Sequence, residues 1–145
     1  MRYLGVDYGD TRTGLAVSDL SGMLASGIGQ VSCGGMRRTA ERVAAEAKEK
    51  GVGAIVVGYP KNMNGSEGPR CEIVRAFAEL LREELGRLFA DNVPEIVFYD
   101  ERLSTAEAHR ILNFTDTRGK KRKNVIDTLS AQIILQDYLD TRRKT

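Results

Sequence analysis

Three acidic residues stand where the pattern of the chain could bring them together: Asp7, Glu101 and Asp127. Asp7 closes an alternating apolar run, Glu101 follows a short apolar run ending at Tyr99, and Asp127 heads a helical stripe through Ala131, Ile134 and Tyr138. In sheets built of parallel strands, ligand sites form beyond the carboxyl ends of the strands, where two such acids would project side by side. An acid on the buried side of a helix start needs a partner there. Carboxylates crowded together repel one another and raise each other's pKa unless a cation neutralises them. Hard oxygen donors with no His or Cys beside them suit Mg²⁺ or Mn²⁺ rather than zinc. Each acid also has a plain local reading. Asp7 and Asp10 could shape the Gly-rich turn by bonding to backbone, Asp127 could complement a helix dipole, and Glu101 could be a solvated residue or an ion-pair partner of Arg102. It is the coincidence of strand end, strand end and helix start that favours a shared site.

The elements that must position these acids are legible in outline. Residues 2–7 alternate and read as a strand, residues 9–14 as a tight turn, and residues 15–18 as the second arm of a hairpin. A third strand is expected over residues 27–32, weakened by its glycines. Ala40, Val43, Ala44 and Ala47 fall on one face of a helix over residues 36–50. Residues 54–58 form a continuous apolar run, as expected for a strand covered on both faces. Residues 59–69 have loop composition, and the helix after them, to about residue 90, is expected to bury Ile73, Phe77, Leu80, Leu81 and Leu88. A strand over residues 95–99 precedes a capping box, Ser104 to Glu107, which opens a helix to about Phe114. A basic loop over residues 115–123, a last helix over residues 124–140 and a frayed tail over residues 141–145 complete the chain. The order predicts one α/β domain over residues 1–145 with a mixed sheet, antiparallel at first and parallel afterwards.

Composition and charge narrow the partners. The 145 residues, 41% hydrophobic and 29% charged, suit one globular domain, and no apolar run approaches the length of a membrane span. Cys33 and Cys71 are isolated, which predicts small packing residues in a reducing, cytoplasmic setting rather than a zinc site or a disulfide. Arg118, Lys120, Lys121, Arg122 and Lys123 are followed at the C-terminus by Arg142, Arg143 and Lys144. Removing those eight from the 22 basic residues leaves 14 against 20 acids, so a mildly acidic body carries local basic segments. That suits a polyanion held at one edge, although a solvated loop and tail would look the same.

The motifs resemble the YqgF family, also called RuvX. The resemblance rests on Val6-Asp7-Tyr8-Gly9 with Arg12 and Gly14, and on Gly58-Tyr59-Pro60 with Asn64-Gly65-Ser66-Glu67-Gly68. It rests further on Asp100-Glu101-Arg102-Leu103-Ser104-Thr105, and on Lys121-Arg122-Lys123 followed by Asp127 and Ala131-Gln132. It covers nearly the whole chain in order. Lys61, where an apolar residue is common, and Tyr59 depart from the pattern without touching the acids.

The resemblance implies a ribonuclease H-like fold with a five-stranded sheet, and a Mg²⁺-dependent endonuclease acting on structured nucleic acid. Processing of the 5′ end of pre-16S rRNA is the substrate it points to, with Holliday junction resolution as the alternative. Carried over residue by residue, the catalytic and metal-binding triad falls on Asp7, Glu101 and Asp127. Two ions about 4 Å apart are expected, with Asp7 bridging. Arg12, Lys61, Lys120, Lys121, Arg122 and Lys123 are expected to hold backbone phosphates. His109, the only histidine, reads as an exposed helix residue rather than a general base. Two other classes compete: a non-catalytic RNA-binding module, and a nucleotide phosphotransferase of the actin and sugar-kinase type, for which 145 residues leave no second domain. The sequence leaves monomer and homodimer equally open.

Overall fold

The computed structural model describes residues 1–32, 34–102 and 119–143, the side chains of 119–127 and 143 excepted. Five strands form one sheet: β1 (Tyr3–Asp7), β2 (Thr13–Ser18), β3 (Ala25–Val31), β4 (Ala54–Tyr59) and β5 (Glu95–Asp100). Three helices are described: α1 (Met36–Lys50), α2 (Pro69–Leu88) and α3 (Gly119–Arg143). The spatial order β3-β2-β1-β4-β5 puts β1 at the centre. It pairs antiparallel with β2 and parallel with β4, and β4 pairs parallel with β5. This is the mixed α/β sheet expected from the order of elements.

Alternation along the strands separates two cores. Leu4, Val6, Ile55 and Val57 pack with Val43, Ala44, Phe77, Leu81 and Leu85 beneath α1 and α2. Tyr3, Ala54 and Val56 face the other way, against Ala131, Ile134, Leu135 and Leu139 of α3. With side chains alternating, Asp7 shares the α3 face with Tyr3, and Gly58 shares it with Val56. Both faces are therefore covered, which accounts for the unbroken apolar run of β4.

The position of α3 is fixed at two places. A Cβ at Gly5 would stand 2.8 Å from Leu135 Cβ and 3.0 Å from the Ala131 carbonyl oxygen, so the helix rests on bare backbone there. At the edge of the sheet, Ala25 N donates to Gln136 Oε1 at 2.9 Å, Gln132 Nε2 donates to Ala25 O at 3.3 Å, and Gln136 Nε2 donates to Met23 O at 3.0 Å. Leu139 packs in the same cluster as Tyr3, at the start of β1, whereas Ala131 lies over Gly5. The helix thus runs antiparallel to β1, with its N-terminal part toward Asp7.

Several expectations shift. Helix α1 spans the expected residues, with Ala40, Val43, Ala44 and Ala47 fully buried. Helix α2 buries Val74, Ala78 and Leu85 along with Phe77 and Leu81, while Leu88 is 40% exposed. The inward stripe therefore ends at Leu85, and Ile73 and Leu80 lie at its margin. Helix α3 begins at Gly119, so Lys120, Lys121, Arg122 and Lys123 belong to its first turns instead of a basic loop, and it continues through residues 141–143, expected as tail. Lys and Arg are good helix formers, and a run of them need not break a helix. Cys71 is fully buried in the core, as expected of a packing residue. Cys33, the capping box at Ser104, the helix expected over residues 104–114 and His109 lie outside the described residues.

Candidate functional site

Three parallel strands, β1, β4 and β5, end at one edge of the sheet. The register pairs Val6 with Val57 and Gly58 with Tyr99, so Asp7 lies beside Gly58, and Glu101 follows two residues after Tyr99, on the same face. Adjacent strands lie about 4.8 Å apart, which would keep side chains on β1 and β5 from meeting over a filled position on β4. Gly58 leaves that position empty. A Cβ there would fall 2.6 Å from Glu101 Oε2 and 2.7 Å from Ile134 Cδ1. The Glu101 carboxylate occupies the space a side chain on β4 would need, and hydrogen-bonds to the carboxyl group of Asp7.

The electrostatics follow from that placement. Burial, then the neighbouring Asp7 charge and a hydrogen bond that the protonated Glu101 donates to Asp7, push Glu101 up to about 9, against a smaller opposing effect of Arg70. Glu101 Oε2 is buried with no hydrogen-bond partner. A buried carboxylate oxygen left without a donor is costly unless something else satisfies it. The donor set is all oxygen, two carboxyl groups lie in contact, and one lone pair is unused, which fits a hard divalent cation.

The adjacent acid behaves oppositely. Burial would raise Asp100, but Arg102 outweighs it and holds the carboxyl below its usual range. Arg102 donates from Nε at 2.8 Å and its Nη2 lies 2.7 Å from the same Asp100 oxygen. So Arg102 pairs with Asp100, and Glu101 turns inward.

Asp127 enters through its helix alone, since its side chain lies outside the described residues. Ala131 sits over Gly5. Four helical residues before Ala131 advance the backbone about 6 Å toward this edge, and two strand residues after Gly5 advance it about 7 Å. The Asp127 backbone is therefore level with Asp7. Among the described residues there is no group of three potential metal ligands.

The loop that follows β4 borders the site and is tied down internally. Asn62 N donates to Ser66 O at 2.9 Å, Gly65 N to Asn62 O at 2.8 Å, and Ser66 N to Asn64 Oδ1 at 2.9 Å. At its base the Tyr59 hydroxyl donates to Glu67 Oε1 at 2.6 Å, and Arg75 bonds to both. This holds Lys61, half-exposed, at the same edge as the acids. Arg12 is half-buried in the turn between β1 and β2. The side chains of Lys120, Lys121, Arg122 and Lys123 lie outside the described residues.

Two features escaped the sequence reading. Gly58 looked like the end of a strand, because an absent side chain leaves no mark in a hydrophobic pattern. Arg70, the second residue of α2, is the other. Its Nη1 donates to both carboxylate oxygens of Asp10 at 3.0 Å, and its Nη2 donates to Tyr8 O at 3.3 Å. The partners are 60 residues apart in the chain, so no local signal joins them.

The family model described as "RuvX: Holliday junction resolvase" matches residues 1–141. A protein of Clostridioides difficile (strain 630) is 47% identical over 139 residues, covering 96% of this chain and 94% of that one. A protein of Geobacillus kaustophilus (strain HTA426) is 46% identical over 145 residues, covering 99% and 100%. Both carry the name "Putative pre-16S rRNA nuclease". Among solved structures, T. thermophilus RuvC in complex with Holliday junction substrate superposes with a TM-score of 0.56 at 15% identity, covering 100% of this chain and 97% of that one. The fowlpox virus resolvase, in complex with substrate Holliday junction DNA, gives a TM-score of 0.52 at 13% identity over 98% and 99%. At such identities the likeness is one of fold, and that fold is ribonuclease H-like.

Proposed function

The chain belongs to the RuvX family, whose model spans residues 1–141, and from that premise we propose a divalent-metal-dependent endonuclease that processes the 5′ end of pre-16S rRNA. The family is one of nucleases, hydrolases acting on phosphodiester bonds. The observation that carries the reading is the meeting of the Asp7 and Glu101 carboxyl groups over the bare backbone of Gly58.

In this reading Asp7, Glu101 and Asp127 are the catalytic acids and hold two ions of Mg²⁺ or Mn²⁺. Bound there, the ions would supply a water acidic enough to attack a phosphodiester near neutral pH and would stabilise charge on its oxygens. Asp7, on the central strand, stands between the other two acids and is the candidate for the shared ligand. Gly58 keeps the pocket open. Ile134 walls the acid pair from solvent on the α3 side, which strengthens the pull of the carboxylates on a cation. Arg12, Lys61, Lys120, Lys121, Arg122 and Lys123 hold the nucleic-acid backbone, positioning the scissile phosphate without reading sequence.

The test is cleavage of a pre-16S rRNA substrate and of a synthetic four-way junction, side by side, with Mg²⁺ or with EDTA. Processing of the precursor is expected, lost in EDTA and in Asp7→Asn and Asp127→Asn, with circular dichroism and nucleic-acid binding retained. Wild-type cleavage by Asp7→Asn would overturn the metal mechanism. Cleavage of the junction alone would favour the second reading, Holliday junction resolution in the cytoplasm by a homodimer, to which the family's description and the fold both point. A pure binding module is the poorer account, because buried acids beside a phosphate path weaken binding unless they serve turnover.

A further inference from the structure

The pairing of Arg70 with Asp10 bears on how nucleic acid enters the site. The Arg70 side chain is 41% exposed and that of Asp10 69%, and ion pairs this open contribute little to stability. Their location is more informative than their strength. Arg70 lies in the first turn of α2 and reaches across to the backbone of Tyr8, the residue after Asp7. Its charge also acts on Glu101, in the direction that favours the ionised carboxylate. A half-exposed arginine side chain thus stands beside the strand end that carries Asp7, with its charge felt at Glu101. The only anion on it among the described contacts is a carboxylate from the adjoining turn.

We propose that Arg70 is a phosphate seat which Asp10 occupies in the free protein and a substrate phosphodiester takes over. This rests on the nuclease reading given above. A carboxylate and a phosphodiester present the same feature to a guanidinium, two anionic oxygens on one centre, so one can replace the other without rearranging the arginine. The bond from Nη2 to Tyr8 O keeps the guanidinium in place during the exchange. Asp10 then competes with the substrate, and its removal should help binding. If the pair merely staples the turn to α2, removing either partner loosens the fold and neither change tightens binding.

The experiment measures binding of a fluorescent RNA hairpin by anisotropy, in EDTA, over a range of KCl, with the full chain carrying Asp7→Asn to prevent cleavage. Arg70→Gln is expected to weaken binding roughly tenfold, the effect of one charge-assisted hydrogen-bonded contact. It should also make the salt dependence shallower by about 0.7–0.9 in logarithmic slope. Asp10→Asn is expected to tighten binding several-fold, and the double variant to bind like Arg70→Gln alone, because the competitor matters only while the seat exists. Equal signs for the two single variants, or additive effects in the double, would overturn the proposal. If Arg70→Gln fails to fold by circular dichroism, Arg70→Lys replaces it, and Asp10→Asn must still bind more tightly than the parent. No binding by the parent at any salt would overturn the nuclease reading and the seat together. Binding by the parent with no response to either substitution would overturn the seat alone.

Discussion

Exchanging Glu101 for Gln removes the charge of a buried carboxyl group while keeping its shape, and the result depends on pH in a calculable way. In the folded, metal-free protein Glu101 is pushed up to about 9, against an ordinary value of 4.5. A group raised on folding contributes stability that is fully present below its unfolded pKa and is lost as pH climbs through the folded one. Between 4.5 and about 9 the unfolded chain gives up this proton while the folded chain keeps it. The loss is about 1.4 kcal/mol per pH unit. From pH 4.5 to pH 7 the wild-type protein should therefore lose about 3 kcal/mol through this group, and Glu101→Gln should lose none of it. Urea melts followed by circular dichroism in EDTA, at intervals from pH 4.5 to pH 8, measure both profiles. The variant is expected to overtake the wild type as pH rises. Saturating Mg²⁺ should then stabilise the wild type and leave the variant nearly unmoved, since only a binder of the native state is stabilised. Parallel pH profiles for the two proteins would refute the buried, coupled acid pair.

Two further substitutions probe the backbone that frames the site. Gly58→Ala puts a methyl group 2.6 Å from Glu101 Oε2 and 2.7 Å from Ile134 Cδ1; overpacking of this kind costs about 1–3 kcal/mol. Calorimetric titration of Mn²⁺ should show weakened binding beyond that stability loss, and wild-type affinity would contradict the geometry. Gly5→Ala places a methyl group 2.8 Å from Leu135 Cβ, which lifts α3 from the sheet and should likewise cost about 1–3 kcal/mol. Here cleavage should fall while Asp7 and Glu101 are untouched, because the helix that carries Asp127 has moved; unchanged cleavage at wild-type stability would show that α3 does not set the site.

What the chain reveals before folding follows from how each signal is encoded. Helix α1 was legible because its small apolar residues recur at helical spacing over fifteen positions. Asp7 and Glu101 could be placed at strand ends because alternation and apolar runs mark where β1 and β5 stop. That Glu101 turns inward while Asp100 takes the arginine was not legible. Both residues are acids beside Arg102, and only the register of β4 with β5 decides between them. The sequence pattern carries the inward stripe of α2 one turn too far because Leu88 continues the periodicity past Leu85, although it is 40% exposed. The start of α3 was hidden by its charges, which look like a loop and propagate a helix equally well. Gly58 and the pairing of Arg70 with Asp10 were invisible for a shared reason. One acts by lacking atoms and the other by joining distant segments.

The glutamines that tie α3 to the start of β3 have a consequence for the order in which the molecule matures. Helix α3 is translated after all five strands, yet it packs across β1, β2, β3 and β4 and fastens to the first meander. While the ribosome is still making residues beyond β5, the sheet can already pair, with its second face bare and Asp127 not yet delivered. Synthesis adds about 5–20 residues each second, so this interval lasts several seconds. A half-made chain therefore has Asp7 and Glu101 but lacks Asp127, the third acid of the proposed site. On the proposed assignment of Asp127, cutting power is the last property the nascent polypeptide acquires.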